Sequence, residues 1–260
     1  MSDDLDDATM DAAADPAAAT LPPLREAALF LDFDGCLVEI ADRPDGVRVP
    51  ERLPGMLDRL WRATDGRVWL VSGRKIDDLE TFLPDFPGDL VGSHGAEFRV
   101  DGTREPVPGA GGAAFEAEKA DLQSFADDHG LLLEEKPASL VLHYRSAPEL
   151  EDACRERIEA AASRIDGYEL HPSKMALELK PRDATKGRAV ERLLAGPAEG
   201  RRPVAAGDDV TDEAMIRVAE ARGGLGIRIG EGETGASVRL PDVRAMHRLL
   251  RGWLELEGGQ

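Results

Sequence analysis

The stretch "ALFLDFDGCLVEI", residues 28–40, runs apolar for four residues and then sets Asp32 and Asp34 one residue apart before Gly35. An apolar run of this length, closed by a glycine turn, predicts a short buried strand in a parallel sheet. The two aspartates then stand at its C-terminal end. In an extended chain, side chains two apart point the same way, so both carboxylates can face one small volume. Two like charges that close call for a cation. A hard divalent ion such as Mg2+ takes oxygen ligands, and open parallel sheets bind ligands beyond the carboxyl ends of their strands. Asp and Gly also favour plain turns, so this fragment alone leaves both readings open.

Working outward, "PERLPGMLDRLWRAT" carries Leu53, Leu57 and Leu60 at helical spacing, followed by the strand "RVWLVS" and a helix from about Lys75 to Phe82. The strand "DLVGSHG" comes next, and then "EFRVDGTREPV", where Asp101 and Gly102 supply a hairpin turn. From about residue 106 to 174 the pattern changes to helix, two strands, helix and strand, which predicts an inserted α+β module. "MALELK" is then expected to lead back into βα alternation, ending in an amphipathic helix from about Asp242 to Leu254. The predicted fold is α/β, with a Rossmann-like core over residues 24–105 and 175–260, a cap over 106–174, and a disordered acidic tail over 1–23.

Three further segments fall at the strand ends of this layout. In "AAGDDVTDEAM", Asp208, Asp209 and Asp212 follow the strand Pro203 to Ala206. Carboxylates crowded at a sheet edge are costly without a metal, although Asp212 could instead cap the helix that follows. In "VSGR", Ser72 ends a strand, Gly73 lets a ligand approach the backbone, and the next helix offers free N–H groups to an anion, where a plain turn is the alternative. Lys186, in "RDATKGRA", places a cation at a helix start, where the dipole disfavours it; either another group wants that charge or it is a solvated surface lysine.

Taken together, "DFDGC", "VSGR", Lys186 and "GDDVTD" resemble the haloacid dehalogenase superfamily of phosphatases. That resemblance implies Asp32 as nucleophile, Asp34 as general acid and then base with its backbone carbonyl on Mg2+, and Ser72 and Lys186 on the phosphoryl oxygens. Asp208, supported by Asp212, would complete the metal site. The position after Gly35, usually Thr in this pattern, is Cys36. A thiol is a weaker hydrogen-bond partner, so a moderate loss of rate is expected, while Cys36 as a nucleophile is the outlying reading. Ser72 lies 38 residues after Asp34 and 114 before Lys186, which places the insertion after the second motif, as in C2-type caps that select sugar phosphates.

Within that group the segments "FLDFDGCLVEI", "VSGR", "GSHGAEFR", "HYR", "KMALELKP", "KGRAV" and "GDDVTDEAM" resemble the trehalose-6-phosphate phosphatases from about Leu24 to Leu254. The resemblance implies His94, Lys174 and Glu178 on sugar hydroxyls, Arg145 on the cap, and Gly73 and Arg74 at the substrate. The other readings are a turn hydrogen bond for His94, a pair with Arg182 for Glu178, and a surface role for Arg145. It also implies a small sugar-phosphate substrate and a trehalose-phosphate synthase as partner. Glucosylglycerol or mannosylglycerate phosphate is the alternative ester, and a weakly active sugar-phosphate-binding homologue the alternative class.

Composition bounds these expectations. A formal net charge of −19 repels nucleic acid and anionic membranes. Only 6 of the 32 basic residues are Lys, which together with the acidity predicts a salt-adapted source. Cys36 and Cys154 form no disulfide framework, so a reducing cytoplasm is expected. No basic start with an apolar segment opens the sequence, and no apolar run approaches the ~20 residues that span a bilayer. The expected state is a cytoplasmic monomer.

Overall fold

The opening stretch folds into β1 (Ala27–Leu31), buried along its whole length, and it lies at the centre of an eight-stranded sheet. The computed structural model describes residues 21–41, 43–106 and 112–258; the acidic segment 1–20 and residues 107–111 of the glycine-rich connector lie outside them. After β1 come α1 (Leu53–Ala63), β2 (Val68–Val71), α2 (Ile76–Phe82), β3 (Asp89–Gly92), β4 (Glu97–Val100) and β5 (Thr103–Pro106). The smaller unit contains α3 (Ala113–His129), β6 (Leu132–Glu135), β7 (Leu140–His143), α4 (Glu151–Arg164), β8 (Tyr168–Ser173) and β9 (Ala176–Pro181). The chain then returns through α5 (Lys186–Leu194), β10 (Arg202–Gly207), α6 (Glu213–Ala221), β11 (Leu225–Ile229), β12 (Val238–Leu240) and α7 (Val243–Gly258).

The large sheet runs β12-β11-β10-β1-β2-β3-β4-β5, parallel from β12 to β3 and closed by the antiparallel β3-β4-β5 meander. Period-two alternation sends Leu29 and Leu31 to one face, with α1, α2 and α7, and Ala28 and Phe30 to the other, with α5 and α6. Both faces of β1 are covered, which is why its sequence is continuously apolar. The Asp101–Gly102 turn is as expected, with φ of 49° and 74°.

Two expected boundaries move. Leu21 packs on the core, and the Pro22 carbonyl accepts a 2.9 Å hydrogen bond from Trp253 Nε1, so residues 21–23 belong to the folded unit and not to a tail. β9 does not return to the core: it pairs antiparallel with both β7 and β8, in the order β6-β7-β9-β8. The small sheet thus holds "MALELK", and the chain re-enters the core after Pro181. Leu177 and Leu179 pack against α3 and α4, while Glu178 and Lys180 alternate onto the uncovered face.

Candidate active site

β1 and β10 are adjacent and parallel, with Leu31 opposite Ala206, so the loops after them emerge side by side. The Asp32 amide donates to the Ala206 carbonyl at 2.9 Å, extending the ladder to the residue that carries the first carboxylate. Gly35 then turns the chain with φ of 74°, and a Cβ there would fall inside the Asp208 carboxylate. Glycine is required at this point because Asp208 occupies the space a side chain would need. The same holds at Gly207, where a Cβ would strike the Asp212 carboxylate.

Asp32, Asp208 and Asp212 offer oxygens that all lie within 4.8 Å of one another. Lys186 Nζ donates to Asp32 Oδ1 and to Asp212 Oδ1, each at 2.6 Å. Lys186, Asp32 and Asp212 are 3%, 4% and 0% exposed, so this is a buried ion cluster and the lysine is no surface residue. Asp212 does not cap α6; its Oδ2 instead accepts from the amides of Asp208 (3.0 Å) and Asp209 (2.9 Å), which folds the loop after β10 around it. Asp209 is exposed and turns its carboxylate back onto the Val210 amide.

Burial pushes the Asp32 carboxyl upward, against the pull of Lys186 and with help from Asp212. Burial and the neighbouring Asp212 and Asp209 raise Asp208 to about 6. Lys186 is held firmly as an ammonium: its two carboxylate partners outweigh the burial that would discharge it. Three carboxylates converge with one ammonium among them, which leaves an excess of carboxylate oxygens at one point. All-oxygen donors in that excess fit a hard divalent cation.

The expected second carboxylate of the first motif is elsewhere. Asp34 does not join the cluster; Arg74 grips it with Nε–Oδ2 at 2.6 Å and Nη2–Oδ1 at 2.8 Å. The Arg74 guanidinium, expected at the substrate, therefore meets the carboxylate of Asp34, and it stacks over Phe82 (5.0 Å) and Phe33 (5.9 Å). Ser72 is buried, and its hydroxyl accepts from the Arg74 amide at 3.2 Å. The helix after it, α2, spans 7 residues and carries Asp77 and Asp78 in its first turn, so its dipole is already answered by carboxylates and offers an anion less than expected.

Gly73 does make room, and the group it admits is His94: a Cβ there would overlap the imidazole. His94 sits in a left-handed turn, with Ser93, His94 and Gly95 at φ of 49°, 57° and 107°. The turn is held by Ser93 N to the Arg74 carbonyl (2.7 Å) and His94 N to the Ser72 carbonyl (3.0 Å), while Gly95 packs on the Thr185 backbone next to Lys186. Desolvation first, then Lys186 and Lys180, hold the His94 imidazole below its ordinary value. Ala138, beside Ser139 in the β6–β7 turn, packs with Ala96 and Ala184, which brings that end of the small sheet against the turn that carries His94.

On the uncovered face of that sheet Glu178 accepts from Ser139 Oγ at 2.6 Å and from Lys136 Nζ at 3.3 Å, not from Arg182, which pairs with Glu169. Burial would raise the Glu178 carboxyl, but the Ser139 hydroxyl and Lys136 overcome it and hold the group below its usual range. Lys174 lies in the exposed β8–β9 turn, and Arg145 lies beside it, where the Tyr144 amide donates to the Met175 carbonyl. Both sit at the end of β9 opposite Pro181, away from the return to Lys186. Lys136, Ser139 and Lys180 are absent from the sequence-based set. Lys180 was legible as the next residue on the face of Glu178, whereas nothing in the sequence ties Lys136 or Ser139 to it.

Cys36 is wholly buried, with Sγ 3.6 Å from the Ala206 carbonyl, and burial together with Asp32 drives its thiol well above the ordinary value. It packs the loop and has no nucleophilic character. Cys36 and Cys154 are both free, and among the described residues no helix is long and apolar enough to cross a membrane.

Comparison with known proteins agrees with this geometry. The family model described as trehalose-phosphatase matches residues 30–243. The chain is 41% identical over 206 residues to a "Probable trehalose-phosphate phosphatase" of Sinorhizobium fredii, covering 78% of this chain and 77% of the relative. It is 36% identical over 234 residues to the "Trehalose-6-phosphate phosphatase" of Escherichia coli, covering 88% and 85%. Among solved structures, a "trehalose-6-phosphate phosphatase related protein" superposes with a TM-score of 0.64 at 28% identity, covering 89% of this chain and 99% of the other. A haloacid dehalogenase-like hydrolase from Bacteroides thetaiotaomicron shares the fold, with a TM-score of 0.63 at 16% identity over 86% and 98% of the two chains. With its core sheet, small antiparallel sheet and buried Asp–Lys cluster, the chain is an enzyme of the trehalose-phosphatase family.

Proposed function

We propose that the enzyme hydrolyses trehalose 6-phosphate to trehalose and phosphate with Mg2+ at Asp32, Asp208 and Asp212, through a phosphoryl group carried on Asp32. The observation that carries this reading is the cluster itself, in which Asp32 lies 2.6 Å from Lys186 and beside two further carboxylates at the edge of the central sheet. The names of the relatives supply the sugar.

A carboxylate attacking a phosphate ester brings negative charge toward negative charge, so the site must cancel it first. Lys186, fixed by two charge-assisted bonds beside Asp32, is the cation assigned to a phosphoryl oxygen. Mg2+, when bound, would neutralise the remaining carboxylate charge and polarise the phosphoryl oxygens. The backbone carbonyl of Asp34 would add a further oxygen to those that hold it. Asp32 Oδ then bonds to phosphorus as the bond from phosphorus to the sugar oxygen breaks, and Asp34 supplies the proton that oxygen takes up. In the second half, a water gives a proton to Asp34 and its oxygen bonds to phosphorus, the bond to Asp32 breaks, and phosphate leaves. His94, held neutral over Gly73, and Glu178, on the open face of the small sheet, are the groups assigned to sugar hydroxyls. Lys174 and Arg145, in turns at the end of β9 opposite Pro181, are assigned to the sugar through the resemblance alone.

Phosphate release from trehalose 6-phosphate, glucose 6-phosphate, sucrose 6-phosphate and glucosylglycerol phosphate, with Mg2+ or EDTA, tests the assignment. Fast, EDTA-sensitive release from trehalose 6-phosphate above the others is expected. Preference for another ester would keep the chemistry and replace the substrate.

A further inference from the structure

The side chain that touches the proposed proton donor is Arg74, 40 residues away from it in sequence. Two near-parallel bonds of 2.6 and 2.8 Å make a forked contact, which fixes direction as well as distance. The fork is itself held from three sides. The Arg74 amide bonds to Ser72 Oγ at 3.2 Å, its carbonyl takes the Ser93 amide at 2.7 Å, and its guanidinium lies over Phe82 and Phe33. The Arg74 side chain is 14% exposed and that of Asp34 30%, so the carboxylate stays within reach of a bound ester while its partner is enclosed.

The need for such a contact follows from the neighbouring cluster. Asp34 is two residues from Asp32, in a loop that also faces Asp208 through Gly35. A hard divalent cation takes whatever carboxylate oxygens come within reach. A carboxylate bound to the metal through its side chain could not also carry a proton to the leaving oxygen. We propose that Arg74 is a positioning residue for the reaction: its fork keeps the Asp34 carboxylate out of the metal shell and beside the leaving group, and one of its two bonds yields when Asp34 takes up the proton it carries. This rests on the reading of Asp34 as proton donor in the preceding section. It replaces the expectation that Arg74 binds substrate directly.

A proton donor matters most when the departing oxygen is a poor leaving group and least when it is a good one, such as a nitrophenolate. Wild type, Arg74→Ala, Arg74→Lys and Asp34→Asn are compared on trehalose 6-phosphate and on p-nitrophenyl phosphate. For Arg74→Ala the loss in kcat on the sugar ester should exceed that on the aryl ester by about tenfold or more, with KM changed less than kcat, and Arg74→Lys should recover part of it. The ratio of the two esters on one preparation does not depend on the fraction folded. Equal losses on both esters, or a change confined to KM, would overturn the positioning role while Asp34→Asn still discriminates. If Asp34→Asn itself fails to discriminate, the proton-donor reading falls and this proposal with it. A crystal structure of Arg74→Ala with Mg2+ gives a reading independent of turnover: Asp34 displaced from its present place supports the proposal, and Asp34 unmoved refutes it.

Discussion

The two sheets present polar groups to the same space in different ways. At the carboxyl edge of the large sheet, Asp32, Asp212 and Lys186 interlock with almost no exposed surface and Asp208 stands half-buried beside them, held by backbone amides and by glycines that leave no room for a side chain. On the open face of the small sheet, Glu178 leans on Ser139 and Lys136, His143 meets Glu134, and Lys174 and Arg145 stand in exposed turns. The first arrangement costs desolvation and is fixed before substrate arrives; the second is less enclosed, with fewer bonds to each group, and so more adjustable. In this account, bond breaking is assigned to the rigid edge and the choice of sugar to the adjustable face.

Removing the cation from the rigid edge should give the largest effect. Lys186→Met would leave Asp32 and Asp212 buried without their partner, which predicts a stability loss of about 3–5 kcal/mol in the metal-free protein. A fall in kcat of about 10²–10³ should accompany it. Denaturant titration in EDTA and steady-state kinetics in Mg2+ measure the two separately. A variant as stable as wild type would mean that the cluster is not the interlocked unit described.

The adjustable face should respond more mildly and only toward sugar. Glu178→Gln is expected to lower kcat/KM on trehalose 6-phosphate by about 10- to 100-fold, the loss from one mispaired polar contact. The rate on p-nitrophenyl phosphate should hardly change. Parallel losses on both substrates would erase the division between the two regions.

A pH dependence of stability is also expected. In metal-free protein Asp208 sits at about 6 and Asp32 is also raised, whereas both release their protons near the ordinary 3.8 when unfolded. Raised carboxyl values mean that the unfolded chain gives up protons first, so stability is fullest below pH about 4 from this source and declines as pH rises through about 6 and beyond. Tm in EDTA, followed across that window, should show the decline, and Mg2+ should flatten it. A metal-free Tm contribution rising through the same window would have the wrong sign for carboxylates pushed upward by burial.

The edge was largely legible in the sequence because its residues are placed by short-range rules. Asp32 and Asp208 each follow an apolar strand, and Lys186 stands at a helix start against the dipole, which left a partner or solvent as its two readings. That its partners are both Asp32 and Asp212 was not readable, since 154 and 26 residues separate them from it. The bond between Asp34 and Arg74 was hidden for the same reason, and motif position alone sent Arg74 to the substrate. On the cap the failure was one of interpretation. "MALELK" alternates apolar and polar residues, which is the mark of a sheet with one open face, yet it was assigned to the covered core. β12 escaped because three residues at a sheet edge carry too little periodicity to register.

The proposed mechanism turns on a phosphoryl group carried by Asp32. Asp34→Asn, which lacks the base of the second half, should be mixed with Mg2+ and p-nitrophenyl phosphate, whose good leaving group departs without a proton donor, then quenched in acid and mapped by peptide mass spectrometry. The account predicts phosphate on the peptide containing Asp32, absent when Asp32 is also replaced by Asn. Turnover without any phosphorylated peptide under these conditions, or phosphate on another residue, would contradict it.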